Sequence, residues 1–416
     1  MTAVVYLTGD SMNDALGAAG RAHRALFEAL GHEFIEVNFG RPDGDALLGR
    51  TIAEQKIEFV YAPVGMGAKF RGKSAEGVEG NLWEILRVPF ISLVGDSPAY
   101  FFERHVATSP WHATLYYYPE HLELRKRFEP RGYLYGIVPP MPFDMVGKEK
   151  VDFARKAQGR LLFMKNGNDP EKLVAAWRES MPPETFLMLA DIASQLASRI
   201  ADAGECDIDG FVTQAFTSRG WDIDGFRDLR LLFDAQLDDY LRRVKSLLIA
   251  DTIADFPVQI QGFNWEHMDF SGRRATYVKG GDYTQSRQQI LDSLGLIDMS
   301  PNTQCAPHDR AMRAFGLWTL CITNRQRFFD ETTSRAADFT YRFDRESLRE
   351  KVVDVLAHPK RYVELGEAVA GQFRESRRPE AFAEYMLATA SHVRLACGGR
   401  PPGLPPYFVW PPPRTA

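Results

Sequence analysis

Three consecutive residues, His308, Asp309 and Arg310, put an imidazole, a carboxylate and a guanidinium at the start of a stretch patterned as a helix. The first turn of a helix carries unpaired N–H groups and the positive end of the backbone dipole, so it suits an anion. A nucleotide diphosphate carrying a polyol would use such a set: phosphate against cation and N–H, hydroxyls against imidazole and carboxylate. The same triplet also reads as a surface turn in which Asp309 helps to cap the helix. Lys165, at the end of the apolar run RLLFMK, has the reach to meet a phosphate, or it marks a domain edge. Asp96, with His105 further along, forms an acid/base candidate, although an Asp before Ser-Pro is also a common turn or cap. Gly9-Asp10 ends the first apolar run and would let a substrate approach the backbone.

The elements that must position these residues follow from apolar patterning. Around the triplet the order is helix, strand (Leu294, Leu296, Ile297, Met299), loop, helix, strand (Leu320, Cys321, Ile322). The N-terminal half gives strands over AVVYLT, EFIEVNF, IEFVYAPV, PFISLV, ATLYYY and YLYGIV, with helical segments between the earlier ones. That alternation predicts a parallel sheet covered on both faces, with ligand-binding loops at the carboxyl ends of the strands. Pro139-Pro140-Met141-Pro142 interrupts the pattern and closes a first domain, residues 1–142. RLLFMK opens a second, residues 143–395, with a helical insert over about 171–255 in which Leu229, Phe233, Leu237, Leu241, Val244 and Leu248 make one apolar face. A Pro-rich tail, 396–416, has no clear fold of its own, though Tyr407 to Trp410 suggest that part of it packs down.

Composition narrows the function classes. With 416 residues, 45% hydrophobic and 25% charged, the chain fits a globular protein of two domains. A net charge of -5 without a dense basic run argues against nucleic acid as the main partner. No apolar run is long enough to cross a bilayer, and MTAVVYLTGD enters a strand without a basic lead, so neither an integral membrane segment nor a signal peptide is expected. Four scattered cysteines without CxxC spacing fit reduced thiols in a cytoplasm. The triplets Asp43–Asp45, Asp207–Asp209 and Asp222–Asp224 lie in glycine-containing turn contexts and read as caps and turns rather than metal ligands. Gly9 alone does not make the glycine fingerprint that a nicotinamide-dependent oxidoreductase would need.

The stretches FPVQIQGFNW, YTQSRQQILDSLGLIDMSPN, HDRAMRAFGLWTLCITN, DDYLRRVKSLLI and FTYRFDRESLREKVVDVLAHPKRYVELG, with ISLVGDSP in the first half, resemble the GT-B glycosyltransferases (glycosyltransferase group 1), specifically their bacterial spore-maturation (CgeB-type) branch. The resemblance covers roughly residues 160–387 well and the first half loosely. It implies two Rossmann-like domains facing a cleft, with an acceptor in the first and a UDP-, GDP- or dTDP-sugar donor in the second, and neither metal nor cofactor. Carried onto this chain, His308, Asp309, Arg310 and Lys165 would face the donor, Gly262 and Trp265 would flank the nucleotide, and Thr323-Asn324 would close the pocket. Gly9 and Asp10 would meet the acceptor, and Asp96 or His105 would supply a base. Two features depart from the family: Trp318 stands where a small residue, often Gly, is usual, and a clean E-x7-E pair is missing. They leave room for a second reading, a GT-B-fold binding or assembly protein in surface-polysaccharide synthesis that has lost turnover.

Overall fold

The computed structural model describes residues 2–11, 14–129, 134–142, 144–203, 207–398 and 409–410. The chain divides into two compact units, Met1–Phe143 together with Arg377–Ala416, and Asp144–Ser376.

The first unit begins with three apolar strands, β1 (Ala3–Thr8), β2 (Glu33–Asn38) and β3 (Ile57–Pro63). A short antiparallel hairpin follows, β4 (Arg71–Lys73) with β5 (Glu79–Asn81), which sequence patterning did not anticipate. Then come β6 (Phe90–Val94), β7 (His112–Tyr116) and β8 (Leu134–Ile137). The main strands pair in parallel in the order β8-β7-β6-β3-β1-β2. Alternate residues of β1 face opposite ways, as strand geometry requires. Val4 and Tyr6 join the core with Phe27, while Val5 and Leu7 join the core with Leu48 and Trp83. Connections leave β1 toward β2 on one side and reach β3 on the other, so the sheet reverses direction between β1 and β3.

The second unit contains β9 (Leu161–Met164), β10 (Gln259–Gly262), β11 (Thr276–Lys279), β12 (Gly295–Ile297), β13 (Cys321–Asn324) and β14 (Thr340–Tyr341). All pair in parallel, in the order β11-β10-β9-β12-β13-β14. This is the 3-2-1-4-5-6 order of a dinucleotide-binding sheet, with its reversal between β9 and β12. The expected α/β class with two Rossmann-like sheets is thus the architecture of this chain. Between β9 and β10 stand the helices Pro170–Ser180, Pro183–Ala203, Ile208–Thr217 and Arg227–Ile253. The longest of these buries Phe233, Leu237 and Leu241 as expected, but then buries Asp238, Lys245 and Ser246 where an apolar stripe would run. Leu229, Val244 and Leu248 are only half-buried.

Three local outcomes differ from expectation or explain it. The helix Glu380–Cys397, read from sequence as the end of the second domain, belongs to the first unit. Its Phe382, Met386, Ala390 and Val393 pack with Val4, Phe27 and Phe59, His23 stacks on Phe382, and Arg394 ion-pairs with Glu58. Of the tail, Val409–Trp410 (β15) pairs with β8, while residues 399–408 and 411–416, Tyr407 and Phe408 among them, lie outside the described residues. Trp318 has φ +54°, the left-handed conformation that ends a helix and that glycine adopts most easily. A side chain there costs roughly 1–2 kcal/mol. The Trp318 indole N–H donates to Val146 O at 2.9 Å, and the Arg374 guanidinium stacks 4.6 Å from its ring centre. Packing therefore holds a tryptophan where the backbone alone would select glycine.

Candidate functional site

The reversal between β9 and β12 brings two strand ends side by side, and each delivers a charged residue. Asp298 follows β12 and is wholly buried. Its backbone N–H donates to Ile322 O at 2.8 Å and its carbonyl accepts from the Tyr341 hydroxyl at 3.0 Å. Its carboxylate Oδ1 accepts from Arg310 Nε at 2.8 Å. Arg310 lies in the first turn of the helix Asp309–Gly316, capped by His308, whose Nδ1 accepts from Arg310 N at 3.2 Å. The same Nδ1 lies against Asp309 Oδ1 and 3.9 Å from Asp298 Oδ2. One nitrogen cannot serve both contacts at once: Nδ1 without a hydrogen caps the helix through its lone pair, and Nδ1–H donates to a carboxylate.

Lys165 follows β9 and is half-buried. Among the described residues its ammonium has neither a hydrogen bond nor an ion pair. Burial, then the guanidiniums of Arg310 and Arg242, push its pKa down to about 7, with Asp298 and Asp309 pulling the other way. Arg242 comes from the long insert helix, its Nε 2.8 Å from Asp238. Asp238 in turn accepts from Asn302 Nδ2 at 2.7 Å through Oδ1, which ties the insert to the loop after β12. That loop is also fixed from β13, where Asn324 Oδ1 accepts from Ser300 N at 2.7 Å. Arg310 Nη2, Asn302 Oδ1 and Thr303 Oγ1 are buried here without a partner among the described residues, an unusual concentration of unsatisfied polar atoms.

Other residues expected at the donor side serve the protein itself. Trp265 is buried, donates its indole N–H to Lys165 O at 2.8 Å and packs on Phe163, so it braces the β9 loop and offers no face to a nucleotide. A Cβ on Gly167 would come within 2.0 Å of that indole, and one on Gly262 within 2.0 Å of Lys165 O; both glycines answer to close backbone packing. Thr323 Oγ1 accepts from Gln326 Nε2 at 3.3 Å and is wholly buried. Thr323 and Asn324 therefore fasten loops and do not line an opening.

In the first unit the residues separate. Gly9 and Asp10 end β1 beside its reversal with β3, and Asp10 Oδ1 accepts from Asn38 Nδ2 at 3.1 Å. Asp96 is exposed in the turn after β6. His105 is a core residue: it is wholly buried, its Nδ1 lies 3.2 Å from the Tyr116 hydroxyl, and its ring stacks on Tyr116. Burial, then His121, Arg125 and Arg104, push its pKa down to about 3, so it stays neutral and out of reach of solvent. A lone histidine among aromatic residues gave no sequence signal to tell a core position from a catalytic one.

No protein-family model matches this chain, and no curated protein does. The site therefore stands on its own geometry. Sequence reading missed Asp298, Arg242, Asp238 and Asn302. An aspartate inside the apolar run LGLIDM was the available signal for Asp298, because a carboxylate at a buried strand end needs a cation. The Asp238–Arg242 spacing of four on a helix was the signal for the second pair. What the assembled group can do is hold an anion: an unpaired ammonium, two guanidiniums and a helix N-terminus converge on one strand reversal. Among the described residues no cluster of His, Cys, Asp or Glu is placed to hold a metal ion, and no helix is long and apolar enough to cross a membrane.

Proposed function

We propose that this chain is a glycosyltransferase of the GT-B type, moving a sugar from a nucleotide-sugar donor held by the second unit to an acceptor held by the first. The observation that carries this reading is the unpaired Lys165 beside Arg310 and Arg242 at the reversal of a 3-2-1-4-5-6 sheet, where sheets of this order bind nucleotide phosphates. In transfer, the bond from the anomeric carbon to the donor phosphate breaks as the acceptor oxygen bonds to that carbon. Negative charge then gathers on the departing diphosphate. Lys165, Arg242 and the Asp309 N–H at the helix start would take that charge, which is the part a metal ion plays in other transferases. Arg310 is itself held by Asp298, so its charge is fixed before the donor arrives. His308 and the exposed Asp309 remain for sugar hydroxyls. The acceptor hydroxyl has to lose a proton, and Asp96, after β6, is an exposed carboxylate at a strand end of the first unit.

A panel of UDP-, GDP-, CMP- and dTDP-sugars, followed by calorimetry and by nucleotide release, tests the reading. Binding of at least one, with slow release of nucleotide in the absence of acceptor, is the expected result. The core position of His105 favours the second reading, a binding or assembly protein, because it removes one of the two candidate bases. Tight binding of a nucleotide sugar with no release over hours, with or without candidate acceptors, would support that reading instead.

A further inference from the structure

In the first unit, the segments that leave the carboxyl ends of β3 and β6 are stitched together. A Cβ on Gly65 would come within 3.0 Å of the Arg104 carbonyl, so the loop after β3 lies against the short helix Phe102–His105. The Ala68 carbonyl accepts from Asn81 Nδ2 and from Thr108 Oγ1, both at 2.8 Å. The ribbon β4-β5 springs from this root. One of its faces packs down: a Cβ on Gly72 would meet the Leu82 side chain at 2.8 Å, one on Gly80 would meet Ile85 at 3.6 Å, and Phe70 packs with Trp83.

Residues of the other parity belong to the opposite face. They are Lys69, Arg71 and Lys73, all exposed, and among the described residues none of these side chains has a hydrogen bond or an ion pair. Glu79 stands across the ribbon from Lys73 and Glu76 lies in the turn, yet neither pairs with a cation of the row. Alternate strand residues stand roughly 6.6 Å apart, so the three cations make a row about 13 Å long. Ser74 N donates to Val78 O and Leu82 N to Phe70 O, so the even-numbered residues bond across the ribbon and the backbone groups of Arg71 and Lys73 turn outward. Arg104 carries the positive charge onto the neighbouring segment: it is exposed, has no ion pair among the described residues, and its guanidinium lies 4.8 Å from the centre of the exposed Phe101 ring. Lysines on a strand edge also discourage pairing with another chain, but Arg104 lies where no strand edge needs guarding.

We propose that this row is the docking surface for the acceptor, and that the acceptor is an acidic glycan, a linear saccharide with a carboxylate on successive sugars. The proposal rests on the transferase reading above and adds to it the chemical class of the acceptor. Charge complementarity fixes the sign of the ligand, and the length of the row calls for several linked anions in place of one. A saccharide uses the remaining features as well. Its hydroxyls can donate to and accept from the outward backbone groups of Arg71 and Lys73, and the apolar face of a sugar ring can cover Phe101. The planar fork of Arg104 matches a carboxylate. The row starts from the loop after β3, where a Cβ on Gly9 would touch Met66 at 3.4 Å, so a chain lying on it leads to the sheet reversal at Gly9 and Asp10.

The test titrates the full-length protein, by calorimetry at low salt, with the hexamer of galacturonic acid and with its methyl ester, which keeps most of the hydroxyls and loses the charge. Hexaglutamate and vesicles of phosphatidylserine are run in parallel, and the panel of nucleotide sugars reports on the donor side separately. The wild type should bind the acid hexamer, should not bind the ester, and should bind the hexamer more weakly as salt is raised. Lys69→Gln, Arg71→Gln and Lys73→Gln together should weaken binding about ten-fold or more, and each alone about two- to five-fold. All three residues are exposed, so the melting temperature should not move. Lys56→Gln, exposed just before β3 at its amino end, is the control and should bind as the wild type does. Equal binding of ester and acid, or undiminished binding by the triple variant, would overturn the role of the row. Tighter binding of the peptide or of the vesicles than of the hexamer would overturn the glycan and assign the row to an acidic protein segment or a lipid surface. If a nucleotide sugar binds and the hexamer does not, this inference fails and the transferase reading stands. If the hexamer binds through the row and no nucleotide sugar binds, the glycan surface stands and the transferase reading fails.

Discussion

The two sheet reversals of this protein invite comparison, because each lies within a parallel sheet and the side chains that the two present differ. Both are parallel sheets in which the strand order turns back, between β1 and β3 in one unit and between β9 and β12 in the other. At the second reversal the charged groups stand at the strand ends: Lys165 after β9, Asp298 and Arg310 after β12, Arg242 alongside. In the first unit three basic side chains sit deep. His105, His112 and Arg125 are buried between the sheet and its neighbours, His112 Nε2 is 2.7 Å from the Ser92 hydroxyl, and Arg125 donates to the His105 carbonyl and the Tyr135 hydroxyl. At its own reversal the first unit offers Gly9 and Asp10. A shared fold therefore fixes where a site can form, and the placement of a few charges decides what it holds.

The sharpest way to break the comparison is Arg310→Ala. It would leave Asp298 buried without its cation, so it should destabilise the second unit by about 3–5 kcal/mol and should also weaken phosphate binding. Urea unfolding checks this. An unchanged midpoint with lost binding would mean that Arg310 serves the ligand alone, and that the buried pair is not what fixes it.

Lys165→Met should act in the opposite direction on stability. The Lys165 ammonium has a folded pKa of about 7, below the roughly 10.4 of an unfolded lysine. The penalty for carrying its charge is therefore fully present below pH 7 and is relieved as pH rises from 7 toward 10. The variant should be more stable than the wild type at pH 6, on the order of 1 kcal/mol, with the gap closing by pH 10. Its affinity for pyrophosphate should drop at least about ten-fold. Binding by the wild type should take up a proton near pH 7 and above, visible as a buffer-dependent enthalpy, and this dependence should vanish in Lys165→Met. A gap between the two proteins that widened with pH would overturn the description of Lys165.

The smallest effects belong to the first unit. His105→Gln should reduce its stability by about 1–3 kcal/mol at pH 8 by disturbing a buried polar contact, and the difference from the wild type should shrink as pH falls from about 6.5 toward 5, because a histidine held at about 3 in the fold takes up a proton there only when unfolded. Asp96→Asn should change stability by less than about 0.5 kcal/mol, because the carboxylate is exposed. If Asp96 is the base, transfer should fall by orders of magnitude while nucleotide binding stays intact. Equal loss of binding and transfer would point instead to a role in holding the donor.

Much of the architecture was written in local pattern. Buried parallel strands are short continuous apolar runs, and AVVYLT, PFISLV and CITN announce themselves whatever they pack against. The region around His308 was legible too, because caps, strand ends and helix starts are local events, settled by neighbours a few residues apart. The sequence alone thus determined an α/β chain with two parallel-sheet halves, a helical insert, and a charged helix start after the strand near residue 297. Tertiary structure decided the rest. It made Trp265 a brace and His105 a core residue, it drew the helix Glu380–Cys397 back onto the first sheet, and it set Arg242 and Asp298 beside Lys165 from positions 77 and 133 residues away in the chain. Burial and long-range pairing depend on what the folded chain puts on the far side of each residue, and no local spacing carries that information.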